Sequence, residues 1–330
     1  MAKGIKIGKL KCESGAKLHG FLKVGERPLS DIKLPVMIVN GSQSGPTLSV
    51  RAGDHPEEYP AIEAAIRIFE QCDPKKLRGT LIVVPVSNVP AFEVSKSKFT
   101  FRTSYISPID GLNLRYTPID KAKGTMTELI AYTIFEEIVS KSDYTITLHG
   151  GALPEIIVNH SIMYKTGNNQ VDELSEAMAK LCPSPNRYIV VRTPERGERG
   201  CDIPNRGIPE IISEAGRMGL LEEPYVVAHV NGVQNIMKHF GMIEGKPIET
   251  PEQIFLSEGV STTADRGGLF FPLIEVGDEV SKDQKIAEIR NLFGDVIQEI
   301  FAPFNGIVML IKVPPPTFTG DELIYLNPVL

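Results

Sequence analysis

The sequence has no long hydrophobic run, no excess of basic residues and no closely spaced pair of cysteines. No apolar run approaches the ~18 residues that a transmembrane helix needs, so we expect no membrane span. The net charge of −6, from 35 basic and 41 acidic residues, argues against nucleic acid as a partner. The first ten residues, MAKGIKIGKL, lack a continuous apolar segment, so we expect no secretory signal.

The cysteines are few and far apart: there are four, at positions 12, 72, 182 and 201. None belongs to a C-x-x-C motif, and scattered thiols of this kind are typical of a reduced, cytoplasmic protein. The spacing leaves a disulfide between distant cysteines open, and the sequence leaves the oligomeric state open, a homo-oligomer included. With 42% hydrophobic and 23% charged residues, the 330-residue chain has the composition of an ordinary folded protein with a sizeable core.

Strands and helices are predicted to alternate through most of the chain. The β-branched runs 80–88 and 144–148 predict buried strands, and residues 156–164 are expected to form one further strand. Apolar side chains at i, i+3, i+4 and i+7 predict an amphipathic helix over 61–72. This alternation predicts an α/β protein with a doubly wound, mostly parallel sheet over residues 1–250.

The pattern changes after about residue 250. The remaining residues contain short apolar runs separated by Gly and Asp turns, with no helical period. We therefore expect residues 251–330 to form a separate small all-β domain.

Two histidines and a glutamate are the strongest candidates for chemistry. His55 and Glu58 stand three residues apart between a predicted strand and a predicted helix, and His149 ends the predicted strand YTITLH. Ligands of open α/β sheets gather at the carboxyl ends of strands, so we expect these side chains to meet. Two imidazole nitrogens and a carboxylate oxygen suit one Zn²⁺ ion. The alternative for each residue is an ordinary solvated or structural side chain.

An acidic residue and two arginines complete the candidate site. Glu214 ends the apolar run PEIISE, where a carboxylate in a dry cleft could serve as general base for water. Asn113 and Arg115 lie in the irregular segment PIDGLNLRY, and a guanidinium fork matches a substrate carboxylate. Arg102, slightly upstream, is the second candidate cation.

Taken in order, these pieces resemble the succinylglutamate desuccinylase and aspartoacylase family of zinc-carboxypeptidase-like hydrolases. The family pattern is a Gly-x-His-Gly-Asp/Asn-Glu turn, a Gly-Leu-Asn-Leu-Asn-Arg-like stretch, Asp-Leu-His-x-Gly-Gly and Glu-x-Gly. The corresponding stretches here read GDHPEE, DGLNLR, TLHGG and EAG. Tyr59 follows the first of these stretches, and the turn of the N-acetyl-diaminobutyrate deacetylase subgroup also continues with a tyrosine, so the chain most resembles that subgroup. The resemblance spans roughly residues 34–330 and implies a zinc-carboxypeptidase type of sheet.

The chain departs from the family pattern at three places. Pro56 replaces the glycine after the first histidine, which stiffens the turn and removes a backbone N–H. Thr147 stands where the family usually has Asp, and Asn113-Leu114-Arg115 lacks the expected Asn beside Arg. Because the four candidate metal and base residues persist, we expect a retained metal hydrolase whose substrate preference is altered.

The terminal β unit resembles a biotinyl/lipoyl-type barrel. A carrier domain of that type needs a Lys at its exposed hairpin, and the matching turn here, residues 291–295, reads NLFGD. We therefore expect a unit that packs against the catalytic domain and borders the pocket, without a carried cofactor.

The resemblance implies a cytoplasmic zinc-dependent deacylase that hydrolyses the amide bond of an N-acylated amino acid or small amine. Zinc, one ion per chain, would be the cofactor, and a small N-acyl molecule would be the partner. Two alternatives stay open: a carboxypeptidase-like peptidase acting on small peptides, and a metal-free binding protein on the same fold.

Overall fold

A computed structural model describes residues 3–93, 105–193, 202–249 and 251–330. Within these ranges the helices are α1 Tyr59–Gln71, α2 Val89–Phe92, α3 Met126–Glu137, α4 Asn169–Ala179, α5 Asp202–Asn205 and α6 Glu223–His239. The strands are β1 Ile5–Ile7, β2 Leu10–Cys12, β3 Ala16–Glu26, β4 Asp31–Asn40, β5 Gln43–Arg51, β6 Arg78–Val84, β7 Tyr144–His149, β8 Glu155–Ile157, β9 His160–Tyr164, β10 Tyr188–Arg192, β11 Glu210–Glu214, β12 Ile254–Leu256, β13 Val260–Thr263, β14 Gly268–Pro272, β15 Glu279–Val280, β16 Lys285–Arg290, β17 Val296–Phe301, β18 Gly306–Lys312, β19 Pro316–Thr317 and β20 Glu322–Pro328.

A nine-stranded sheet carries the first part of the chain, in the order β12-β10-β9-β11-β7-β5-β6-β4-β3. Its central strands β6, β5, β7 and β11 are mutually parallel, and so are β9, β10 and β12. The neighbours β11–β9, β6–β4 and β4–β3 are antiparallel. The mixed α/β class expected from the alternating pattern is confirmed. The parallel central strands end on the same edge of the sheet, which is where a site can form.

Local sequence explains where the helices flanking this sheet begin. Pro60 stands in the first turn of α1, where its missing N–H costs no hydrogen bond, and Ile62, Ala65 and Ile68 of that helix are buried. Helix α3 starts with a capping box in which the Thr125 N–H donates to the Glu128 carboxylate. The helix over 61–72 was therefore predicted from its apolar spacing within two residues at each end.

The prediction of one strand over residues 156–164 is wrong. The structure has two strands there, β8 and β9, separated by Val158 and Asn159. Strand β9 joins the large sheet between β11 and β10, whereas β8 pairs with β18 of the C-terminal part. A run of apolar residues does not reveal such a break, because the side chains on the two sides of it are of similar type.

The C-terminal strands form two antiparallel sheets, one ordered β13-β20-β18-β15 and the other β17-β16-β14-β19. They enclose a hydrophobic core of their own around Phe270, Ile289 and Ile324. The expected C-terminal β-strands are thus present, and the structure shows that they pair antiparallel. Strand β12, at 254–256, belongs to the large sheet, so the antiparallel unit begins at β13.

The two parts of the chain are joined by backbone pairing and by a shared apolar cluster. The β8–β18 ladder pairs Ile157 with Leu310, and Ile307 and Met309 of β18 pack with Ile162 and Val190 of the large sheet. Fully burying such side chains contributes about 1.5–3 kcal/mol each. Strand β18 therefore packs against the large sheet. Among the described residues, no helix is long and apolar enough to cross a membrane.

Candidate active site

The turn between β5 and α1 places the first two candidate residues. Gly53 has a φ of +67°, and a Cβ at this position would lie 2.9 Å from the Cα of Val86, so only glycine fits. His55 and Glu58 follow in the same turn and are both buried. The Nδ1 atom of His55 lies 2.9 Å from Oε1 of Glu58.

His149, the last residue of β7, brings its imidazole to the same point. Its Nδ1 atom lies 2.9 Å from Oε2 of Glu58, and its ring centroid lies 4.9 Å from that of His55. One potential ligand atom from each of the three residues falls within 4.8 Å of the others. The structure therefore brings the three sequence-predicted candidates together, in an arrangement that could hold one metal ion.

The nitrogen and oxygen atoms of this cluster are arranged to bind a metal rather than to form hydrogen bonds with one another. Oε2 of Glu58 and both ring nitrogens of His149 are buried without a hydrogen-bond partner among the described residues, although Oε2 and Nδ1 approach to 2.9 Å. Unpaired buried polar atoms are rare in folded proteins. Two imidazole nitrogens and one carboxylate oxygen are the donor set found at catalytic zinc sites.

Burial controls the protonation of the cluster. It lowers the pKa of His55 to about 4 and that of His149 well below its ordinary value, so both imidazoles are neutral near pH 7. Burial also raises the pKa of Glu58 well above its ordinary value, against the nearby positive charge of Arg115. Neutral imidazoles keep a lone pair for a metal, and a bound cation would favour the ionised carboxylate.

Glu214 lies next to this cluster on the neighbouring strand. It ends β11, whose parallel register with β7 pairs it with His149. Burial raises its pKa to about 7, while Arg115 lowers the pKa and the Glu58 charge raises it further. A carboxyl group with a pKa near neutrality can both accept and return a proton.

Arg115 and Asn113 reach the site from a short 3-10 turn at Leu114–Tyr116. Nη1 of Arg115 lies 3.4 Å from Oε1 of Glu214, and its Nε has no hydrogen-bond partner among the described residues. Oδ1 of Asn113 accepts a hydrogen bond from the Arg115 backbone N–H and lies 3.3 Å from Nε2 of His55. The third candidate, Arg102, lies outside the described residues.

A cavity of about 320 Å³ connects these groups. Its lining includes the polar residues His55, Glu58, Arg115 and Glu214 and the apolar residue Met309. The remaining lining residues come from both parts of the chain, and among them are Ile157, His160, Ile162, Arg192, Leu310, Tyr325 and Asn327. The β unit therefore borders the pocket, and His160 of β9 also lines it.

Comparison with known protein families identifies the family of this chain. The family model for the succinylglutamate desuccinylase/aspartoacylase catalytic domain matches residues 44–240, more than half of the sequence. The chain belongs to this family. The matched segment contains all the candidate metal, base and substrate residues described above. The pocket residues of the C-terminal strands lie outside it.

Relatives of this family member cover almost its whole length. The N-alpha-acetyl-L-2,4-diaminobutyric acid deacetylase of Halomonas elongata is 24% identical over 96% of this chain and 93% of the relative. The product-bound ectoine utilization protein EutE (DoeB) of Ruegeria pomeroyi has a TM-score of 0.85 at 22% identity, with 99% of each chain covered. A succinylglutamate desuccinylase structure from Silicibacter sp. TM1040 has a TM-score of 0.83 at 22% identity, with 95% of each covered. At these identities the two structures show that the fold is shared.

The site of this desuccinylase/aspartoacylase family member also contains two residues that sequence reasoning missed. The hydroxyl of Tyr105 donates to Oε1 of Glu155 at 2.8 Å, and the Tyr105 ring packs edge-on against His55 at 4.4 Å between centroids. Tyr105 lies in a segment without periodicity, so no local signal marks it. Glu155 follows the glycines after His149, and a charged residue there, beside a run of apolar ones, is the signal that could have drawn attention to it.

Proposed function

We propose that this protein is a zinc-dependent deacylase that hydrolyses the amide bond of an N-acylated amino acid or small amine. The observation that carries the proposal is the buried group of His55, Glu58 and His149. The first two of these residues line one cavity together with Glu214 and Arg115. A metal-ligand set, a carboxylate of raised pKa and a cation for a substrate carboxylate are the parts that hydrolysis of an N-acyl amino acid needs.

His55, Glu58 and His149 would hold one zinc ion per chain. Their atoms that converge are Nδ1 of each histidine and the two carboxylate oxygens of Glu58. Zinc at this position supplies Lewis-acid chemistry, polarising the amide carbonyl and lowering the pKa of water. The family membership supports the same metal, and the buried, neutral imidazoles are ready to bind it without first losing a proton.

Glu214 would be the general base and then the general acid. Its carboxylate takes a proton from the attacking water while the water oxygen forms a bond to the carbonyl carbon. When the carbon–nitrogen bond breaks, the same group returns the proton to the departing nitrogen, so a carboxylate and an amine leave. A pKa near 7 suits both transfers, because neither the protonated nor the ionised form is strongly favoured.

Arg115 would bind a carboxylate of the substrate, with Asn113 holding the turn that carries it. The Arg115 side chain is 14% exposed and lines the cavity. Its Nε has no hydrogen-bond partner among the described residues, so not all of its donors are used. A carboxylate accepts two parallel N–H bonds from such a group. Arg102 stays the alternative anchor.

The acyl group and the amine are proposed only by class. The Halomonas relative is named a deacetylase of an Nα-acetylated diamino acid, which supports an N-acyl amino acid as the substrate.

We also propose the doubly wound, zinc-carboxypeptidase type of sheet and a cytoplasmic location. Cys12, Cys72 and Cys182 are free thiols, in line with the reducing environment expected from their spacing.

The test is a hydrolysis screen of zinc-loaded protein against N-acetyl and N-succinyl amino acids, N-acyl amines and dipeptides, read by release of amine. We expect turnover of N-acyl amino acids that a chelator abolishes and added zinc restores, with Glu214→Gln as the inactive control. Turnover of dipeptides alone would favour a carboxypeptidase-like peptidase. Protein that neither binds zinc nor hydrolyses any member of the panel would contradict the proposal and favour a binding protein.

A further inference from the structure

The side of His149 that faces away from Glu58 meets a second carboxylate. Nδ1 of His149 points to Glu58, so Nε2 is the nitrogen left on the opposite side of the ring. Oδ2 of Asp54 lies 3.9 Å from that Nε2 atom. His149 and Asp54 are 1% and 3% exposed, so solvent does not compete for either group.

Asp54 is a buried carboxylate with little else to hold it. Its Oδ1 atom has no hydrogen-bond partner among the described residues, and its Oδ2 atom lies 3.8 Å from Nη1 of Arg51. Nε2 of His149 and Nε of Arg51 are likewise buried and without a hydrogen-bond partner in the described ranges. Such atoms in a folded protein call for an explanation beyond packing.

Arg51 is fixed by residues of two other strands, β7 and β11. Its Nη2 atom donates to Oε1 of Glu210 at 2.8 Å and to Oγ1 of Thr147 at 2.6 Å. Thr147 is its register partner on β7, and the Thr147 hydroxyl donates to the same Glu210 oxygen at 3.3 Å. Because Thr147 is neutral, the carboxylates of Glu210 and Asp54 balance the charge of Arg51.

The space between these groups permits Asp54 and His149 to make contact. A cavity of about 60 Å³ is bounded by Arg51, Asp54, Thr147, His149 and Glu210 among others. A hydrogen bond requires about 2.7–3.2 Å between nitrogen and oxygen, so the Asp54 carboxylate has to move by roughly 1 Å. The cavity gives the side chain room for that movement, or room for a bridging water molecule.

We propose that Asp54 is a positioning residue that accepts a hydrogen bond from the Nε2–H of His149 and so presents the Nδ1 lone pair to the metal. Arg51, held by Glu210 and Thr147, keeps the Asp54 carboxylate in place. Carboxylates that bind the second nitrogen of a metal-ligating histidine fix its tautomer and ring orientation, and their loss typically weakens metal binding 10–100-fold. The inference rests on the metal site of the proposed function.

Asp54→Asn tests the proposal with little change of shape. The new amide can donate to Nε2, which favours the wrong tautomer of His149. Zinc affinity is measured by competition with a chromophoric chelator, and we expect the Kd of Asp54→Asn to rise about 10–100-fold. At saturating zinc, KM for the substrate should stay unchanged.

The matched control is Asp143→Asn, which also removes a carboxylate close to β7. Asp143 accepts a hydrogen bond from the Thr47 N–H at 2.7 Å, at the far end of the strand from His149. We expect its zinc affinity to equal that of the wild type. An unchanged zinc Kd in Asp54→Asn would overturn the role of Asp54 while leaving the metal site intact, whereas a wild-type protein without zinc affinity would overturn both.

A second measurement needs no variant and covers the case that Asp54→Asn does not fold. In the zinc-loaded wild-type protein, the Nε2–H proton of His149 is observed by NMR. We expect a downfield, slowly exchanging resonance, because a buried N–H bonded to a carboxylate is deshielded and protected. A rapidly exchanging proton at the position of an unbonded imidazole would overturn the proposal.

Discussion

Glu214 and His149 are register partners on the parallel strands β11 and β7, and both end their strands. The turns that follow stay in close contact, since a Cβ at Gly150 would lie 2.5 Å from the Ala215 carbonyl oxygen. The general base that we propose and one proposed metal ligand are therefore held at a separation set by the sheet. Neither needs a loop to bring it to the other.

Replacing Glu214 separates chemistry from binding. Glu214→Gln keeps the shape of the side chain but does not accept a proton from water. We expect near-normal zinc content and substrate binding, with kcat lower on the order of 10²–10⁴-fold. Glu222→Gln, which changes a half-buried ion-pair partner of Arg217, is the control and should leave kcat unchanged. A lower Tm with normal turnover per folded molecule would instead make Glu214 a structural ion-pair residue.

His149→Ala removes one of three proposed ligands. The remaining nitrogen and carboxylate donors bind zinc weakly, so metal analysis after dialysis should show strong loss of zinc from an initial one ion per chain. His239→Ala, at an exposed position at the end of α6, serves as control and should retain zinc. Wild-type zinc content in His149→Ala would remove that residue from the site.

The proposed carboxylate anchor predicts a change that depends on the substrate. Arg115→Ala should raise KM for an N-acyl amino acid roughly 10- to 100-fold, because a hydrogen bond to a charged group contributes about 1.5–3 kcal/mol. For an analogue of the same substrate whose carboxylate is replaced by a carboxamide, Arg115→Ala should change KM far less. If Arg102→Ala raises KM and Arg115→Ala does not, Arg102 is the anchor. Arg115→Ala should also alter kcat, since Arg115 lies beside Glu214.

Acid should destabilise the fold partly through His160. Burial lowers the pKa of this imidazole to about 4, while its Nδ1 bonds to the Val158 carbonyl. Below the unfolded pKa of about 6.5, the unfolded chain binds a proton that the folded protein does not, so stability falls as the pH drops from 6.5 towards 4. Over that pH window, the free energy of unfolding measured with urea should fall by about 3 kcal/mol less for His160→Gln than for the wild type. Above pH 7.5 the difference in unfolding free energy between the two proteins should be constant. Curves of unfolding free energy against pH that stay parallel from pH 4 to 8 would contradict the role given to His160.

The C-terminal β unit should carry no covalent cofactor. Its hairpin between β16 and β17 presents Leu292 and Phe293 to solvent, and residues 291–295 contain no Lys. Intact-mass measurement of protein from its native cells should therefore match the unmodified chain. An added mass of biotin or lipoate would show that another lysine of this unit serves as the attachment site.

Much of the architecture could be predicted because it depends on local order in the sequence. The β-branched run at β6 and the apolar period of α1 mark their elements directly. His55 and Glu58 are three residues apart in one turn, and His149 ends a strand, so their meeting followed from the rule that parallel strands share an edge. The family likewise followed from the order of four short motifs and is confirmed.

What sequence reasoning missed depends on contacts between distant segments. The break between β8 and β9 arises because β18, about 150 residues later, pairs with one half of an apolar run. Tyr105 and Glu155 reach the site through a hydrogen bond across 50 residues. No periodicity encodes either contact, since each depends on where a separate element packs.

The sequence by itself determined most of the strand and helix pattern and the residue types of the site, because backbone propensity and side-chain chemistry are local properties. Only the tertiary structure decided which nitrogen of His149 faces Glu58 and which faces Asp54, and how Arg51 came to lie between Glu210 and Thr147. Those choices follow from the register of β5, β7 and β11 and from the exclusion of water around them. Register and burial are properties of the packed sheet, and they set the geometry and charge of the site.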